Sequence, residues 1–252
     1  MSIRRAITFD FHDTLASCDR WFELEVCTLP EKVVGSLATR ELNGDTLTDL
    51  EAIRSTYRAL RTEIVGHGRE MDALAGVRET LRRLGLSADD DALIAVIDDL
   101  MHEALNDVRP KPGAVETVTS LHEAGFALGV VSSAVHHPFL LWVLDAFSIL
   151  PLFQTVVTSA SAGFYKSRPE IYQRALDDLA VDPDMACHVG DSVRWDHLTP
   201  KSLGMRTILV STRPLKLDAT DPHPDLHLPS LLDSTGAIAE VVAGSSTPTI
   251  AR

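Results

Sequence analysis

The chain has 252 residues, of which 45% are hydrophobic, and its 36 acidic residues outnumber its 23 lysines and arginines. This length and apolar fraction suffice for one large domain or for a core with a smaller second domain, and they exclude a chain that is disordered throughout. A net charge of −13 repels phosphate backbones, so the composition argues against a nucleic-acid partner.

Cysteine content and the N-terminus bear on the cellular compartment. The chain has three cysteines, Cys18, Cys27 and Cys187, and no C-x-x-C pair, which indicates reduced thiols rather than a disulfide framework. The first apolar run begins soon after Met1, so no signal peptide is predicted, and no apolar run approaches membrane-spanning length. We therefore expect a cytoplasmic protein without a membrane partner. The sequence does not indicate an oligomeric state.

The first predicted element is a buried strand that ends at a carboxylate. The apolar run Ala6-Ile7-Thr8-Phe9 is followed directly by Asp10-Phe11-His12-Asp13-Thr14. Open α/β sheets bind their ligands at the carboxyl ends of their strands. Asp10 is therefore expected to lie at a binding site.

The segment from residue 16 to residue 108 is predicted to be helical. Its clearest helix lies between a break at Asn43-Gly44-Asp45 and another at Gly66-His67-Gly68. Ser87 is predicted to cap the next helix, whose first turn holds the acidic residues that a helix dipole favours there. A segment of this length is too long for a loop, so it predicts a second, all-helical unit. The apolar face of the clearest helix consists of Leu50, Ile53, Tyr57, Leu60 and Ile64.

From Arg109 onwards, predicted strands and helices alternate. Successive strands joined by helices favour parallel pairing with right-handed crossovers, and hence a doubly wound α/β core. The predicted strands are 126–131, 155–158, 186–189 and 207–210. The predicted helices are 114–124, 138–147, 169–179 and 194–203, and residues 244–252 are expected to form a flexible tail.

Polar residues also follow two later strands. Ser132 and Ser133 end the second core strand, Asp191 ends a later one, Asp196 follows in the next helix, and Lys166 lies between these two motifs. Carboxylates that converge on one point need a cation, and Mg²⁺ prefers oxygen ligands. A lysine aimed at the same point supplies the local positive charge that an acidic protein must provide for an anionic substrate.

The order of these motifs resembles that of the haloacid dehalogenase superfamily over essentially the whole chain. The matching positions are Asp10, Ser132, Lys166, Asp191 and Asp196. The resemblance implies a Rossmann-like, mainly parallel core formed by residues 1–15 and 109–252. It also implies that residues 16–108 form a helical cap domain that closes over the active site, and that the protein hydrolyses a small-molecule substrate.

The resemblance further implies a role for each of these residues. Asp10 would attack phosphorus and form an aspartyl-phosphate, which divides one difficult displacement into two easier ones. The cofactor would be Mg²⁺, bound by the carboxylates of Asp10, Asp191 and Asp196 and by the main-chain carbonyl of His12. The groups that bind the substrate's phosphate would be Ser132, Ser133 and Lys166, and Lys166 would also stabilise the transition state.

The sequence departs from the family's phosphatases at His12. Those phosphatases read D-x-D-x-T, and their second Asp protonates the leaving group and then activates water, whereas this chain reads D-F-H-D-T. His12 could perform this acid–base work, because imidazole titrates near neutrality. Asp13 could substitute instead, although a shift of one residue re-aims a side chain at a strand end. Alternatively, the protein is not an ester phosphatase, since dehalogenases and phosphonate-cleaving members also lack the second Asp.

The downstream acids favour the phosphatase. Dehalogenases need no metal, whereas Gly190-Asp191 and Asp196 are intact here, even though Trp195-Asp196 resembles the dehalogenase ending. For phosphonate cleavage the cap offers only Lys32. We therefore predict a Mg²⁺-dependent phosphatase acting on a small phosphorylated metabolite. The alternatives are a metal-independent 2-haloacid dehalogenase-like hydrolase and a phosphate-binding member with weak turnover.

Several other polar or aromatic residues receive structural interpretations. His136 and His137 are interpreted as helix-entry residues, and His188 as buried structure rather than a ligand. Trp21 and Phe22 are predicted to belong to the core of the cap or, alternatively, to line its substrate side.

Overall fold

The computed structural model describes residues 4–40 and 49–244. The predicted break at Asn43-Gly44-Asp45 and all but the first residue of the predicted tail lie outside these residues. Within them, no helix combines the length and the apolar character that crossing a membrane requires.

A six-stranded parallel sheet forms the centre of the fold. In chain order the strands of the described residues are β1 (Ala6–Phe9), β2 (Ala16–Ser17), β3 (Arg109–Pro110), β4 (Ala127–Ser132), β5 (Thr155–Thr158), β6 (Ala186–Gly190), β7 (Arg206–Val210) and β8 (Leu226–Leu228). Two of them, β2 and β3, form a separate two-stranded sheet. The spatial order in the six-stranded sheet is β5-β4-β1-β6-β7-β8, and every neighbouring pair is parallel. The prediction of a mainly parallel, Rossmann-like core is therefore confirmed. β1 lies between β4 and β6, which brings the carboxyl ends of these three strands together.

The helices of the segment between β2 and β3 form one group, and helices after β3 cover both faces of the six-stranded sheet. In chain order they are α1 (Asp19–Glu23), α2 (Leu29–Arg40), α3 (Leu50–His67), α4 (Ala73–Arg83), α5 (Asp90–Ala104), α6 (Ala114–Glu123), α7 (His137–Ala146), α8 (Ser159–Ala162), α9 (Pro169–Leu179), α10 (Thr199–Ser202) and α11 (Thr235–Ala243). Alternate residues of β4 point to opposite faces, so Leu128 and Val130 pack with α6 and α11 while Ala127 and Val131 pack with α9. The result is a helix–sheet–helix sandwich.

Several predicted boundaries are wrong in informative ways. Ala16 and Ser17 are not helical: β2 pairs antiparallel with β3, so the chain enters and leaves the inserted helices at adjacent positions. Asp89, not Ser87, caps α5, because its side chain accepts a hydrogen bond from the N–H of Ala92. The helix predicted at 194–203 begins as a π-helical turn, Val193–Leu198, and continues as α10. Neither β8 nor α11 was predicted.

The inserted helices α1–α5 are bound to the core by hydrogen bonds as well as by apolar packing. Main-chain bonds run from Tyr165 N to Gly68 O (3.0 Å) and from Glu70 N to Gly163 O (3.0 Å). The Glu70 carboxylate pairs with Arg61 at 2.6 Å and accepts a hydrogen bond from Ser159 Oγ at 2.9 Å. These contacts hold the end of α3 against the core.

Glu25 makes a second attachment between the inserted segment and the core. It lies in a π-helical turn, Leu24–Thr28, and is 2% exposed. Its two carboxylate oxygens accept the N–H groups of Val135 and His136, each at 3.0 Å. These two residues follow the loop that leaves β4 at Ser132. Glu25 therefore fixes the position of that loop.

We expect Glu25 to make the folded protein less stable above neutral pH. Burial raises the pKa of Glu25 to about 8, so the folded state holds a proton that the unfolded chain has already lost. The stability from this proton is complete below the unfolded pKa, near 4.5, and is lost as pH rises through about 8. Between pH 7 and pH 9 this loss amounts to about 1–2 kcal/mol. Urea unfolding at both pH values measures it.

Glu25→Gln is the control for this experiment, because its amide does not titrate. The variant should be less stable at pH 7, since an amide N–H₂ replaces one of the two acceptors. The decline between pH 7 and pH 9 should be smaller in the variant than in the parent. An equal decline in both proteins would rule out Glu25 as its source.

Candidate active site

Three predicted site residues meet at the carboxyl edge of the sheet. Asp10 follows β1, and its N–H bonds to the carbonyl of Val189 in β6 at 2.8 Å. Ser132 is the last residue of β4, and Asp191 directly follows β6. Because β4, β1 and β6 are neighbours in the sheet, all three polar residues emerge at the same edge. The fold therefore brings together groups that lie far apart in the chain.

Lys166 joins the carboxylates from a loop between α8 and α9. Its ammonium donates to Asp10 Oδ1 at 2.7 Å and also to Asp196 Oδ1, and the residue is 3% exposed. Burial alone would lower the pKa of Lys166, but the carboxylates of Asp10 and Asp196 outweigh it and raise that pKa well above its ordinary value. Lys166 is thus a fixed positive charge at the centre of the site.

Asp196 is held by more partners than Lys166 alone. Its Oδ1 also accepts a hydrogen bond from His188 Nε2 at 3.1 Å, and its Oδ2 accepts the N–H of Ser192 at 2.9 Å. A carboxylate can only accept, so His188 carries its proton on Nε2 and its Nδ1 accepts from the Thr8 hydroxyl at 2.8 Å. Burial lowers the pKa of His188 to about 4, which keeps this ring neutral. Only Oδ2 of Asp196 retains a lone pair for a further ligand.

The absence of a side chain at Gly190 leaves the space that the Asp196 carboxylate occupies. A Cβ atom built on Gly190 would lie 2.4 Å from Asp196 Cγ. Carbon atoms do not approach so closely, so any other residue at this position would displace the carboxylate. The Gly-Asp pair at 190–191 therefore has a steric purpose: the glycine admits Asp196 and the aspartate follows at the strand end.

The acidic residues have the composition and spacing of a divalent-cation site. One carboxylate oxygen from each of Asp10, Asp191 and Asp196 lies within 4.8 Å of the others. Three carboxylates against the single ammonium of Lys166 leave excess negative charge in a buried place. Burial, together with the neighbouring carboxylates, raises the pKa of Asp10 to about 7 and that of Asp191 to about 6. A cation with a preference for oxygen ligands would relieve this repulsion, so the donor set fits Mg²⁺.

The backbone at residue 12 is also compatible with a ligand. The Ala16 N–H bonds to Phe11 O at 2.9 Å, and the Asp13 N–H bonds to Ala16 O at 2.8 Å. No backbone hydrogen bond to the carbonyl oxygen of His12 forms within residues 4–40 and 49–244. This oxygen remains the predicted main-chain ligand.

The side chains of His12 and Asp13 lie in different surroundings. The His12 ring stacks on Phe22 of α1, with ring centres 4.5 Å apart, and its Nε2 lies 3.4 Å from Asp19 Oδ1. Asp13 has a left-handed backbone, with φ of 61°, and its carboxylate accepts a hydrogen bond from Lys111 Nζ at 3.2 Å. Asp13 is therefore already engaged by a neighbouring lysine.

Buried polar atoms without a partner are concentrated around the segment from Asp10 to Thr14. Among the side chains that the structure describes, three such atoms are buried without any hydrogen bond: His12 Nε2, Trp21 Nε1 and Ser133 Oγ. A buried polar group without a partner is costly, and in a binding site the ligand or water can satisfy it. Two of the three belong to predicted site residues, and the third belongs to α1, whose next residue stacks on His12.

Two residues of this site were not identified from the sequence. The Thr14 hydroxyl donates to Asp10 Oδ2 at 3.4 Å. The sequence feature that could have identified Thr14 is its position at the end of the D-x-x-D-T run. His188 was interpreted as buried structure, and its ring is fully buried as expected. Its bond to Asp196 had no sequence signal, because nothing in the chain indicates that residues 188 and 196 face each other.

Comparison with known proteins decides the family. Residues 4–204 match the family model described as haloacid dehalogenase-like hydrolase. The chain belongs to the haloacid dehalogenase-like hydrolase family. It is therefore a hydrolase, and the resemblance inferred from the motifs is confirmed.

Individual relatives show how wide this family is. The chain is 28% identical over 237 residues to mouse haloacid dehalogenase-like hydrolase domain-containing protein 3, covering 90% of each protein. It is 26% identical over 240 residues to a glyceraldehyde 3-phosphate phosphatase of Methanopyrus kandleri, covering 94% of this chain and 97% of the relative. A 2-haloacid dehalogenase structure from Pseudomonas syringae pv. tomato DC3000 superposes with a TM-score of 0.67 at 21% identity, covering 97% and 100% of the two chains. The fold is thus common to phosphatases and dehalogenases, and the side chains must distinguish them.

Proposed function

We propose that this hydrolase is a Mg²⁺-dependent phosphatase that acts on a small phosphorylated metabolite through an aspartyl-phosphate on Asp10. The observation that carries the proposal is the cluster of buried Asp10 and Asp196, both bonded to Lys166, with the half-buried Asp191. A dehalogenase attacks carbon without a metal, so Asp191, the third carboxylate, favours the phosphatase. The likeness to the glyceraldehyde 3-phosphate phosphatase over nearly the whole chain supports the same reaction class.

In this proposal the residues around Asp10 orient the nucleophile and balance its charge. Lys166 bonds to Oδ1 and Thr14 to Oδ2, so the carboxylate is fixed from both sides. Lys166 also offsets the charge that develops on the phosphoryl oxygens. Ser132 and Ser133 would bind the phosphoryl group, and the unpartnered Ser133 hydroxyl supports this assignment. Mg²⁺, when bound by Asp10, Asp191, Asp196 and the His12 carbonyl, would reduce repulsion between the carboxylate and the phosphate.

The proposal gives the acid–base work to His12 rather than to Asp13. The Nε2 atom of His12 is buried and makes no hydrogen bond, and the Asp19 carboxylate at 3.4 Å would stabilise the ring when it holds a proton for the leaving group. Asp13 is bonded to Lys111, and its backbone conformation differs from that of an extended strand end. We also propose that helices α1–α5 form a cap domain, because α1 carries Trp21 and Phe22 next to His12.

Removal of the metal tests the proposed function directly. With p-nitrophenyl phosphate and glyceraldehyde 3-phosphate as substrates, a chelator should lower the rate by about 100-fold or more, since a bound metal contributes several kcal/mol to such reactions. Added Mg²⁺ should restore the rate. The decisive control is 2-chloropropionate: halide release that is insensitive to the chelator, without phosphatase activity, would replace the phosphatase with a dehalogenase.

His12→Asp tests the acid–base role. The variant restores the family's carboxylic acid, so turnover of a poor-leaving-group ester such as glycerol 3-phosphate should rise by about 10-fold. Turnover of p-nitrophenyl phosphate, whose leaving group needs no proton, should change little. His12→Asn is the matched control, because it keeps a polar side chain without acid–base capacity and should slow the poor-leaving-group ester. Equal effects of both variants on both esters would remove His12 from the mechanism.

A further inference from the structure

A cavity of about 420 Å³ opens beside the carboxylate cluster. Asp13, Thr14 and Asp191 line it on the side of the proposed active site. The other walls come from the segment after β7, residues 211–216, and from residues 229–231 after β8. The cavity therefore adjoins the carboxylate cluster at Asp191 and at Thr14, whose hydroxyl donates to Asp10. A phosphoryl group fills only a small part of a space in the size range of small-molecule sites.

Cations outnumber acidic residues in the lining of this cavity, with Lys111, Arg213 and Lys216 against Asp13 and Asp191. The chain as a whole, in contrast, carries a net charge of −13. Lys111 Nζ forms an ion pair with Asp13 Oδ1 at 3.2 Å. Arg213 and Lys216 line the cavity without an acidic partner within the part of the chain that the structure describes. They are thus free to bind an anion.

The wall that carries Lys111 packs against the core, and the segment that carries Arg213 and Lys216 is attached at its start, where the Ser211 N–H donates to Leu228 O at 2.8 Å. A Cβ on Gly113, which has φ of 78°, would lie 2.4 Å from the main chain of Leu232, so the turn after Lys111 packs directly against the segment after β8. The Thr117 hydroxyl of α6 donates to the carbonyl of Leu231 at 2.9 Å. Prolines at 112, 214 and 229 restrict the lining backbone further. The wall with Lys111 is therefore formed before a ligand binds, and the exposed side chains of Arg213 and Lys216 can adjust to the ligand.

We propose that this cavity is a subsite for a second anionic group of the substrate, so that the preferred substrates carry a carboxylate or another phosphate besides the phosphate that is hydrolysed. This inference rests on the proposed phosphatase function for the position of the reacting phosphate. Arg213 and Lys216 would bind the second anionic group, and Lys166 would bind the phosphate that is hydrolysed. The positive walls also offset the repulsion that an acidic protein exerts on a polyanionic ligand.

Binding without turnover tests the subsite separately from catalysis. The parent for this experiment carries Asp10→Asn. Calorimetry compares two ligand pairs that differ by one anionic group: 3-phosphoglycerate with glycerol 3-phosphate, and fructose 1,6-bisphosphate with fructose 6-phosphate. At least one doubly anionic ligand should bind about 5-fold or more tightly than its partner at low salt, and the preference should shrink in 0.5 M NaCl.

Two charge-matched double variants identify the source of the preference. The double variant Arg213→Ser/Lys216→Ser should bind the doubly anionic ligand less than about 2-fold more tightly than its partner, because the cations that bind the second anion are absent. Arg82→Ser with Arg174→Ser removes the same total charge from exposed residues of α4 and α9 and should leave the preference unchanged. Absence of a preference in the parent, its persistence in the first variant, or an equal loss in both variants would each overturn the subsite. Absence of Mg²⁺-dependent hydrolysis would instead refute the proposed function, and the binding comparison would still stand.

Discussion

Asp10→Asn is expected to lower the phosphatase rate by about four orders of magnitude while the protein stays folded. The amide cannot attack phosphorus, but its oxygen can still accept the hydrogen bond from Lys166. Because burial and the neighbouring carboxylates already disfavour the charged form of Asp10, its removal should leave the free energy of unfolding unchanged or higher. Initial rates and thermal unfolding of the same preparation measure both effects.

Asp145→Asn is the matched control for this variant. It makes the same chemical change on an exposed residue of α7 and should leave the rate unaltered. A folded Asp10→Asn protein that retains more than a few per cent of the rate would show that Asp10 is not the nucleophile. The chemistry would then have to come from another group of the cluster.

Lys166→Met should be the most destabilising single change in the site. Methionine matches the length of the lysine stem but removes the cation that bonds to both Asp10 and Asp196. Breaking a buried ion pair in this way costs about 3–5 kcal/mol. We expect a loss of this size in urea unfolding with a chelator present, a partial recovery with Mg²⁺, and no measurable phosphatase activity.

A double variant separates charge from shape. If the destabilisation comes from unpaired carboxylates, adding Asp10→Asn to Lys166→Met should recover part of the lost stability, because one of those charges disappears. If the double variant is less stable than Lys166→Met alone, packing around the lysine stem, and not its charge, holds the site together. The comparison therefore tests the electrostatic account of the cluster.

The sequence predicts the central sheet well because its signals are local and redundant. The strand at Thr155–Thr158 and the helix at Pro169–Leu179 are found at their predicted bounds, since each is an apolar pattern with clear stops. The parallel order follows from the alternation of strands and helices. β8 lacks such a signal, because it has only three residues and is half-exposed. Its pairing with β7 is a tertiary effect.

The candidate site shows the same division between local and tertiary information. The positions of Asp10, Ser132 and Asp191 at strand ends are readable from the chain because each follows an apolar run. The partners of these residues are not. The bond from His188 to Asp196 and the anchoring of Val135 and His136 by Glu25 depend on how distant segments pack. Sequence spacing carries no information on such contacts.

The antiparallel pair of β2 and β3 has a consequence for the engineering of this protein. Ala16 lies opposite Pro110, so the two ends of the helical insertion are neighbours in space. A segment with adjoining ends can be exchanged for one of different length without moving the strands that carry Asp10 and Ser132. Chimaeras with a relative's helices should therefore be built with their crossovers at these two strands, which leaves the strands of the central sheet unchanged.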